Sequence, residues 1–365
     1  MSVEVHEFGT LSDGRSTKLY TLSNGDGVTA SFTDLGAAWV SMVVPDRNGT
    51  PGDVLLGYDS PETYLRNPTS TGECVGRSAN RTADASFTLD GVTYHLGKNS
   101  LGKNNLHSGP DKWCSVLFDS AGEQSKLGSR VTFTKRFADG SQGFPGNLDF
   151  SVSYTLTEDS EVMIEYRAVS DRKTVINPTN HAYFNLGGQG SGDILGHIVW
   201  INADYYTPTT EEQIPTGEIA PVAGTPFDFT IAKPVGQEIG ARDPQLAAGK
   251  GYDHNFVLNR FDGKINLAAR ASDPDSGRIL KVYTDLPGVQ FYTGNSLSET
   301  QAAGKGGTKY GPRTGLCFET QFYPDAVHHP DWPQPVFDAG QEYHHFTIYK
   351  FAVRLDEKKS EGEQA

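Results

Sequence analysis

Alternation of apolar and polar residues with a period of two, broken by tight-turn dipeptides, constrains this sequence more than any other feature. In Ser86-Phe-Thr-Leu-Asp-Gly-Val-Thr-Tyr-His-Leu96 the alternation runs on both sides of Asp90-Gly91, a dipeptide favoured in two-residue hairpin turns. Asn24-Gly25, Asn48-Gly49, Asp139-Gly140 and Asp262-Gly263 mark further turns. Val152, Tyr154 and Leu156 share one face of a strand, and Val162, Ile164, Tyr166 and Ala168 share one face of the next. Near the end, Thr347, Tyr349, Phe351 and Val353 alternate with Phe346, Ile348, Lys350 and Ala352. Both faces of that strand are largely apolar, which places it centrally in its sheet. Helical periodicity is confined to residues 61–65 and 239–248, too short to organise a layer. The pattern predicts an all-β fold: a large sandwich of mostly antiparallel strands with few short helices.

No Pro/Gly/Ser-rich linker and no repeat divides the 365 residues, so a single domain over residues 1–365 is expected, with a charged, frayed tail over 357–365. Acidic residues outnumber basic ones 45 to 31, a formal charge of −14. Such a surface repels phosphate backbones and anionic headgroups, so neither nucleic acid nor membrane is an expected partner. A neutral small molecule fits better. Three cysteines without a CxxC pair make neither a disulfide framework nor a zinc site. The N-terminus has no basic-then-apolar leader, and no stretch approaches the ~20 apolar residues that span a bilayer. A cytoplasmic protein with reduced thiols is the expectation. The glycine-rich stretches 187–192 and 304–307 lack the context of nucleotide-binding loops. His328-His329 and His344-His345 lack a third partner at metal-ligand spacing. No cofactor and no metal is expected.

Six clusters combine polar residues, glycines and aromatics more densely than strands require. They are Gly76-Arg-Ser-Ala-Asn80-Arg81, Asn104-Asn-Leu-His107-Ser-Gly109, Asn177-Pro-Thr-Asn180-His181-Ala-Tyr-Phe184-Asn185, Gly251-Tyr-Asp253-His-Asn255-Phe, Gly288-Val-Gln290-Phe-Tyr292-Thr-Gly294-Asn295 and Cys317-Phe-Glu319-Thr-Gln321. Together with His329-Pro330, Pro333 and Gly340-Gln-Glu-Tyr343, their order resembles the aldose 1-epimerase (galactose mutarotase) family from about residue 24 to 355. The resemblance implies a β-supersandwich with an open cleft. It implies Glu319 as general base and His181 as general acid, with Asn80, Arg81, His107, Asp253 and Gln290 as substrate-binding residues lining that cleft. Two departures stand out: Leu106-His107-Ser108-Gly109 replaces Leu-His-Gly-Gly before Pro110-Asp-Lys-Trp113, and Pro178 and Ala182 flank the second histidine motif. They bear on sugar preference rather than on chemistry.

The chemistry suits these residue types. Opening a hemiacetal removes the proton of the anomeric hydroxyl while the ring oxygen receives one, work for a carboxylate and an imidazolium. Glu319 is therefore expected ionised and His181 protonated. Arg81 and His107 would stabilise charge at the ring oxygen, and Asp253 would grip distal hydroxyls. Phe291, Tyr292 and Trp113 are candidates for stacking on the sugar. The implied function is interconversion of the α and β anomers of free aldoses such as galactose and glucose by a monomer or weak homodimer. The alternatives are a hexose-6-phosphate 1-epimerase, which needs extra basic residues at the cleft, and a carbohydrate-binding protein without turnover. A glycosidase would use Glu319 and Asp253 but leaves both histidines without a role.

Overall fold

Nine strands, antiparallel at every pairing, build the largest sheet of the computed structural model, which describes residues 1–298 and 302–354. Their order is Asp119–Gln124, Gly128–Phe137, Leu148–Thr157, Glu161–Ser170, Glu342–Val353, Arg278–Thr284, Asn266–Ser272, Ile198–Ile201 and Lys233–Pro234. Glu342–Val353 occupies the centre, as its composition predicts. Tyr343, Thr347, Tyr349 and Phe351 are buried on one face, whereas Phe346 and Ile348 on the other are only half-buried. The frayed tail expected over residues 357–365, and Leu355 at the end of the family resemblance, lie outside the described residues.

Five N-terminal strands, from Ser2–Thr10 to Pro51–Asp53, form a second antiparallel sheet. It meets the first through aromatic side chains: Phe32 stacks on Tyr154 at 4.3 Å between ring centres, and Trp39 lies 5.6 Å from Tyr349. A third sheet orders Ala220–Pro221, Tyr205–Tyr206, Asp253–Val257, Gly288–Tyr292 and Cys317–Gln321. Phe256, Phe291 and Phe318 form its core face. The Tyr349 hydroxyl donates to the Phe318 carbonyl at 2.6 Å, tying this sheet to the centre of the nine-stranded one.

Local chemistry sets the ends of these elements. Ser86–Leu89 pairs with Val92–His95 across Asp90 (φ 50°) and Gly91 (φ 80°), both left-handed as the dipeptide predicts. The described residues hold two α-helices of six residues each, Pro61–Arg66 and Pro244–Gly249. The second is shorter than the expected 239–248. Asp243 accepts from the backbone of Gln245 and Leu246, and Pro244 follows, so the helix begins there. No helix among the described residues is long and apolar enough to cross a membrane. Cys74, Cys114 and Cys317 are free and buried. Lys305 in the second glycine-rich stretch bonds the Val40 carbonyl (2.7 Å) and Asp53 (2.6 Å), a buried staple rather than a phosphate ligand. Among the paired histidines, His328, His344 and His345 each meet a carboxylate, Asp325, Glu165 and Asp285, and His329 lies against the Trp332 ring.

Candidate active site

Two short strand pairs carry the N-terminal half of the site. Arg81–Thr82 pairs with Asn105–Leu106, which brings the turn at Asn80 against the turn at His107. The His107 N–H donates to the Asn80 carbonyl at 2.9 Å, and the Asn80 N–H donates back to His107 Nδ1 at 3.1 Å. Asn80, His107 and Ser108 have φ of 57°, 52° and 54°, a region that costs a residue with a Cβ roughly 1–2 kcal/mol. Ser108, where the family pattern has glycine, is held there by two bonds: its hydroxyl donates to the Ser78 carbonyl and accepts from the Ser78 N–H, both at 2.9 Å. In the second pair, Cys74–Val75 lies against Thr179–Asn180. Its continuation clamps the His181 backbone, which donates to the Glu73 carbonyl and accepts from Gly72, both at 2.9 Å.

The third sheet supplies the other half. In its register Asp253 lies opposite Tyr292 and Tyr292 opposite Cys317, while Asn255 lies opposite Gln290 and Gln290 opposite Glu319. Facing residues and residues two apart share a face, so one face presents all six toward the cleft side. Phe291 has the other parity. It is buried and stacked on Phe318 at 5.3 Å, which corrects its expected place beside a ligand. Trp113 is also core, parallel to Phe137 at 4.7 Å. Tyr292 does line the cleft, joined by Tyr183.

The cleft, together with its open mouth, spans about 620 Å³, and its lining includes Asn80, Arg81, His107, His181, Asp253 and Glu319. Gln290 departs from the expectation that it lines this space. It is buried one layer back, its Nε2 donating to Asp253 Oδ1 at 2.7 Å. Gln213 was not legible in the sequence: it lies in a loop, carries no motif, and grips Asp253 Oδ2 at 2.7 Å while accepting from Arg81 at 2.5 Å. Arg81 itself stands 3.9 Å from Asp253. Lys112, in the altered loop, also lines the cleft and donates to the Ser70 hydroxyl at 2.9 Å. Its only signal was a cation close behind the His107 motif.

Glu319 Oε1 lies 3.6 Å from His181 Nε2. Both groups are deeply buried, and burial disfavours charge on either. Desolvation, then the nearby Asp253 charge, pushes the Glu319 carboxyl well up, while Arg81 pulls it down. Burial, then the Lys112 charge, pushes His181 down to about 3. Burial thus works against the expected pairing of an ionised Glu319 with a protonated His181, and favours the neutral carboxyl beside neutral imidazole. The charge-separated form has the same number of protons and differs only by one shift across the contact. Among the described residues Glu319 Oε2 has no hydrogen-bond partner, so a carboxyl oxygen remains to take a ligand proton.

Ligand atoms of His107, His181 and Glu319 lie within 4.8 Å of one another, a set that suggests a divalent metal. Hydrogen bonding opposes that use. Because His107 Nδ1 accepts from Asn80, neutral His107 carries its proton on Nε2. Burial keeps the ring neutral, its pKa pushed well down. Such an imidazole offers a donor rather than the lone pair a metal needs.

Known proteins resemble this chain over nearly its whole length. The family described as aldose 1-epimerase matches residues 18–350. Galactose mutarotase of Bos taurus is 42% identical over 353 residues, 97% of this chain and 99% of that protein. Aldose 1-epimerase of Escherichia coli (strain K12) is 41% identical over 342 residues, 93% and 96% of the two chains. Among solved structures, galactose 1-epimerase from Lactobacillus acidophilus NCFM superposes with a TM-score of 0.85 at 28% identity, covering 97% of this chain and 99% of that one. An aldose epimerase homologue from C. elegans gives 0.82 at 26% identity, covering 92% and 98%.

Proposed function

The chain belongs to the aldose 1-epimerase family, and from that membership we propose that Glu319 and His181 exchange the protons by which it interconverts sugar anomers. It is an isomerase that acts on the α and β forms of free aldoses such as galactose and glucose. The observation that carries the assignment is the 3.6 Å contact between Glu319 Oε1 and His181 Nε2. Two groups that close address two oxygens on one carbon, and a hemiacetal presents O1 and the ring oxygen on C1.

In the forward step Glu319 takes the proton of the anomeric hydroxyl while His181 Nε2 gives one to the ring oxygen. The C1–O5 bond breaks and O1 becomes the carbonyl oxygen. Rotation about C1–C2 presents the other face, and the two transfers reverse as the ring closes. Both groups end in their starting states. The step starts from the charge-separated form, which the donors Arg81 and His107 favour by stabilising negative charge in the cleft. Asp253, fixed by Gln290 and Gln213, accepts from distal hydroxyls and sets the sugar's orientation. Three buried, free thiols support the further reading of a cytoplasmic protein.

Polarimetry of freshly dissolved α-galactose tests the assignment. Wild-type protein accelerates relaxation, and Glu319→Gln loses about 10²–10⁴-fold of that acceleration while retaining sugar binding. Relaxation as fast with Glu319→Gln as with wild type would remove Glu319 from the mechanism.

A further inference from the structure

We propose that Gln213 is a positioning residue that holds Arg81 and Asp253 apart, leaving both charges open to sugar hydroxyls instead of closed on each other. This inference rests on the reading of Arg81 and Asp253 as sugar-binding residues.

A guanidinium and a carboxylate that pair directly settle at about 2.7–2.9 Å. Arg81 Nη1 stands 3.9 Å from Asp253 Oδ2, with both side chains largely buried, where opposite charges attract more strongly than in water. The Gln213 amide bridges the two. Its Oε1 accepts from Arg81 Nη2 at 2.5 Å, and its Nε2 donates to Asp253 Oδ2 at 2.7 Å. The amide has one orientation here, because a guanidinium offers only donors and a carboxylate only acceptors. No charged side chain could replace it. A carboxylate cannot donate to Asp253, and an ammonium cannot accept from Arg81.

The loop is built to present that amide. Gln213 has a φ of 60°, a left-handed conformation that disfavours a residue with a Cβ. Its N–H donates to the Thr210 carbonyl at 2.9 Å, closing a turn. Thr209, just before that turn, is bonded twice by Gln245, whose Oε1 accepts from the Thr209 N–H at 2.7 Å and whose Nε2 donates to the Thr209 carbonyl at 2.9 Å. Glu212 accepts from Asn104 Nδ2 at 3.1 Å, which ties the turn to the segment that pairs with Arg81–Thr82.

An open pair suits a sugar. A carboxylate has about four acceptor positions, of which Gln290 and Gln213 fill one on each oxygen of Asp253. A hydroxyl both donates and accepts, so a single hydroxyl can donate to Asp253 while accepting from Arg81, the same bonding that the Gln213 amide makes. Direct closure would spend those positions on the ion pair.

Crystal structures of the wild-type protein and Gln213→Met test the spacing: with the amide gone, Arg81 and Asp253 should close to a direct ion pair. A pair still open at the wild-type distance overturns the proposal. In polarimetric assays Gln213→Met should raise KM for galactose about tenfold, the scale of one hydrogen bond to a charged group. Among the monodeoxygalactoses, the one whose KM Asp253→Asn raises least lacks the hydroxyl that the pair holds. For that analogue Gln213→Met should raise KM far less than for galactose. Equal increases for both sugars would make Gln213 a packing residue and overturn the proposal. Gln213→Glu keeps the shape and serves where the Met variant does not fold. Its second oxygen meets Asp253 as a like charge, so in mildly alkaline buffer its KM for galactose should rise at least as far; a wild-type KM there also overturns the proposal. Failure of the underlying reading would look different, as an Asp253→Asn protein that keeps the wild-type KM for every sugar with Gln213 intact.

Discussion

Burial acts in opposite directions on the two members of the catalytic pair, and the consequence is visible in pH dependence. Glu319 is pushed up and His181 down to about 3, so a second proton adds to the pair only at low pH, and the two titrate as a unit. A solvated histidine acid would give kcat/KM a limb near its ordinary value of about 6.5. Here the acid limb should fall well below that, and kcat/KM for galactose should stay flat from about pH 7 down to pH 5. A limb centred between pH 6 and 7 would contradict the burial argument. At this scale the sequence was informative about identity and silent about state. Glu319, His181, Asn80, Arg81, His107 and Asp253 all reach one cleft. Their protonation depends on desolvation by Tyr183, Tyr292 and the neighbouring strands, which no local motif encodes.

The strand is the element that makes the site, because parity decides which side chains reach it. Gln290 and Tyr292 face one way and Phe291 the other; the alternation was written in Gly288-Val-Gln-Phe-Tyr292, and pairing the aromatics with the ligand face ignored it. Trp113 was a different kind of miss. Its ring packs against nearby Phe118 and against Phe137 and Phe150, which come from two strands further along the chain. Gly76 shows how tightly that ring backs the Asn80–Arg81 segment: a methyl group there would lie 2.1 Å from the indole. Gly76→Ala should therefore destabilise the protein by roughly 1–3 kcal/mol, read from denaturant midpoints. The hydrogen-bonded row behind Asp253 makes a separate prediction. Gln290→Leu removes a donor from Asp253 Oδ1 and should raise KM about five- to thirty-fold through a loss of roughly 1–2 kcal/mol, with kcat little changed. A fall in kcat at constant KM would place Gln290 in the chemistry instead.

Across the whole molecule, alternation and turn dipeptides were sufficient to predict an antiparallel all-β sandwich, because each sheet buries one face against another. The strand order was beyond them: it joins Glu161–Ser170 to Glu342–Val353, partners far apart in the chain. Stability at this scale carries its own pH signature. His197 accepts from the Leu186 N–H at 2.9 Å and is pushed down to about 4 by burial. Its folded pKa is below the unfolded value of about 6.5, so its contribution is full above that value and is lost as pH falls from 6.5 toward 4. Between pH 7 and 5 that loss is about 2 kcal/mol. Denaturant unfolding of His197→Gln should show an acid loss smaller by that amount, and an identical loss would contradict it. The central claim, that one carboxyl and one imidazole move protons on two oxygens of a single carbon, is tested most directly by exchange NMR. With galactose labelled with ¹⁸O at C1, wild-type protein should give strong cross-peaks between the α and β anomeric protons while the label stays on C1, and Glu319→Gln should abolish the cross-peaks. Exchange that washes out the label in step with anomer interconversion, or that persists undiminished in Glu319→Gln, would contradict the account.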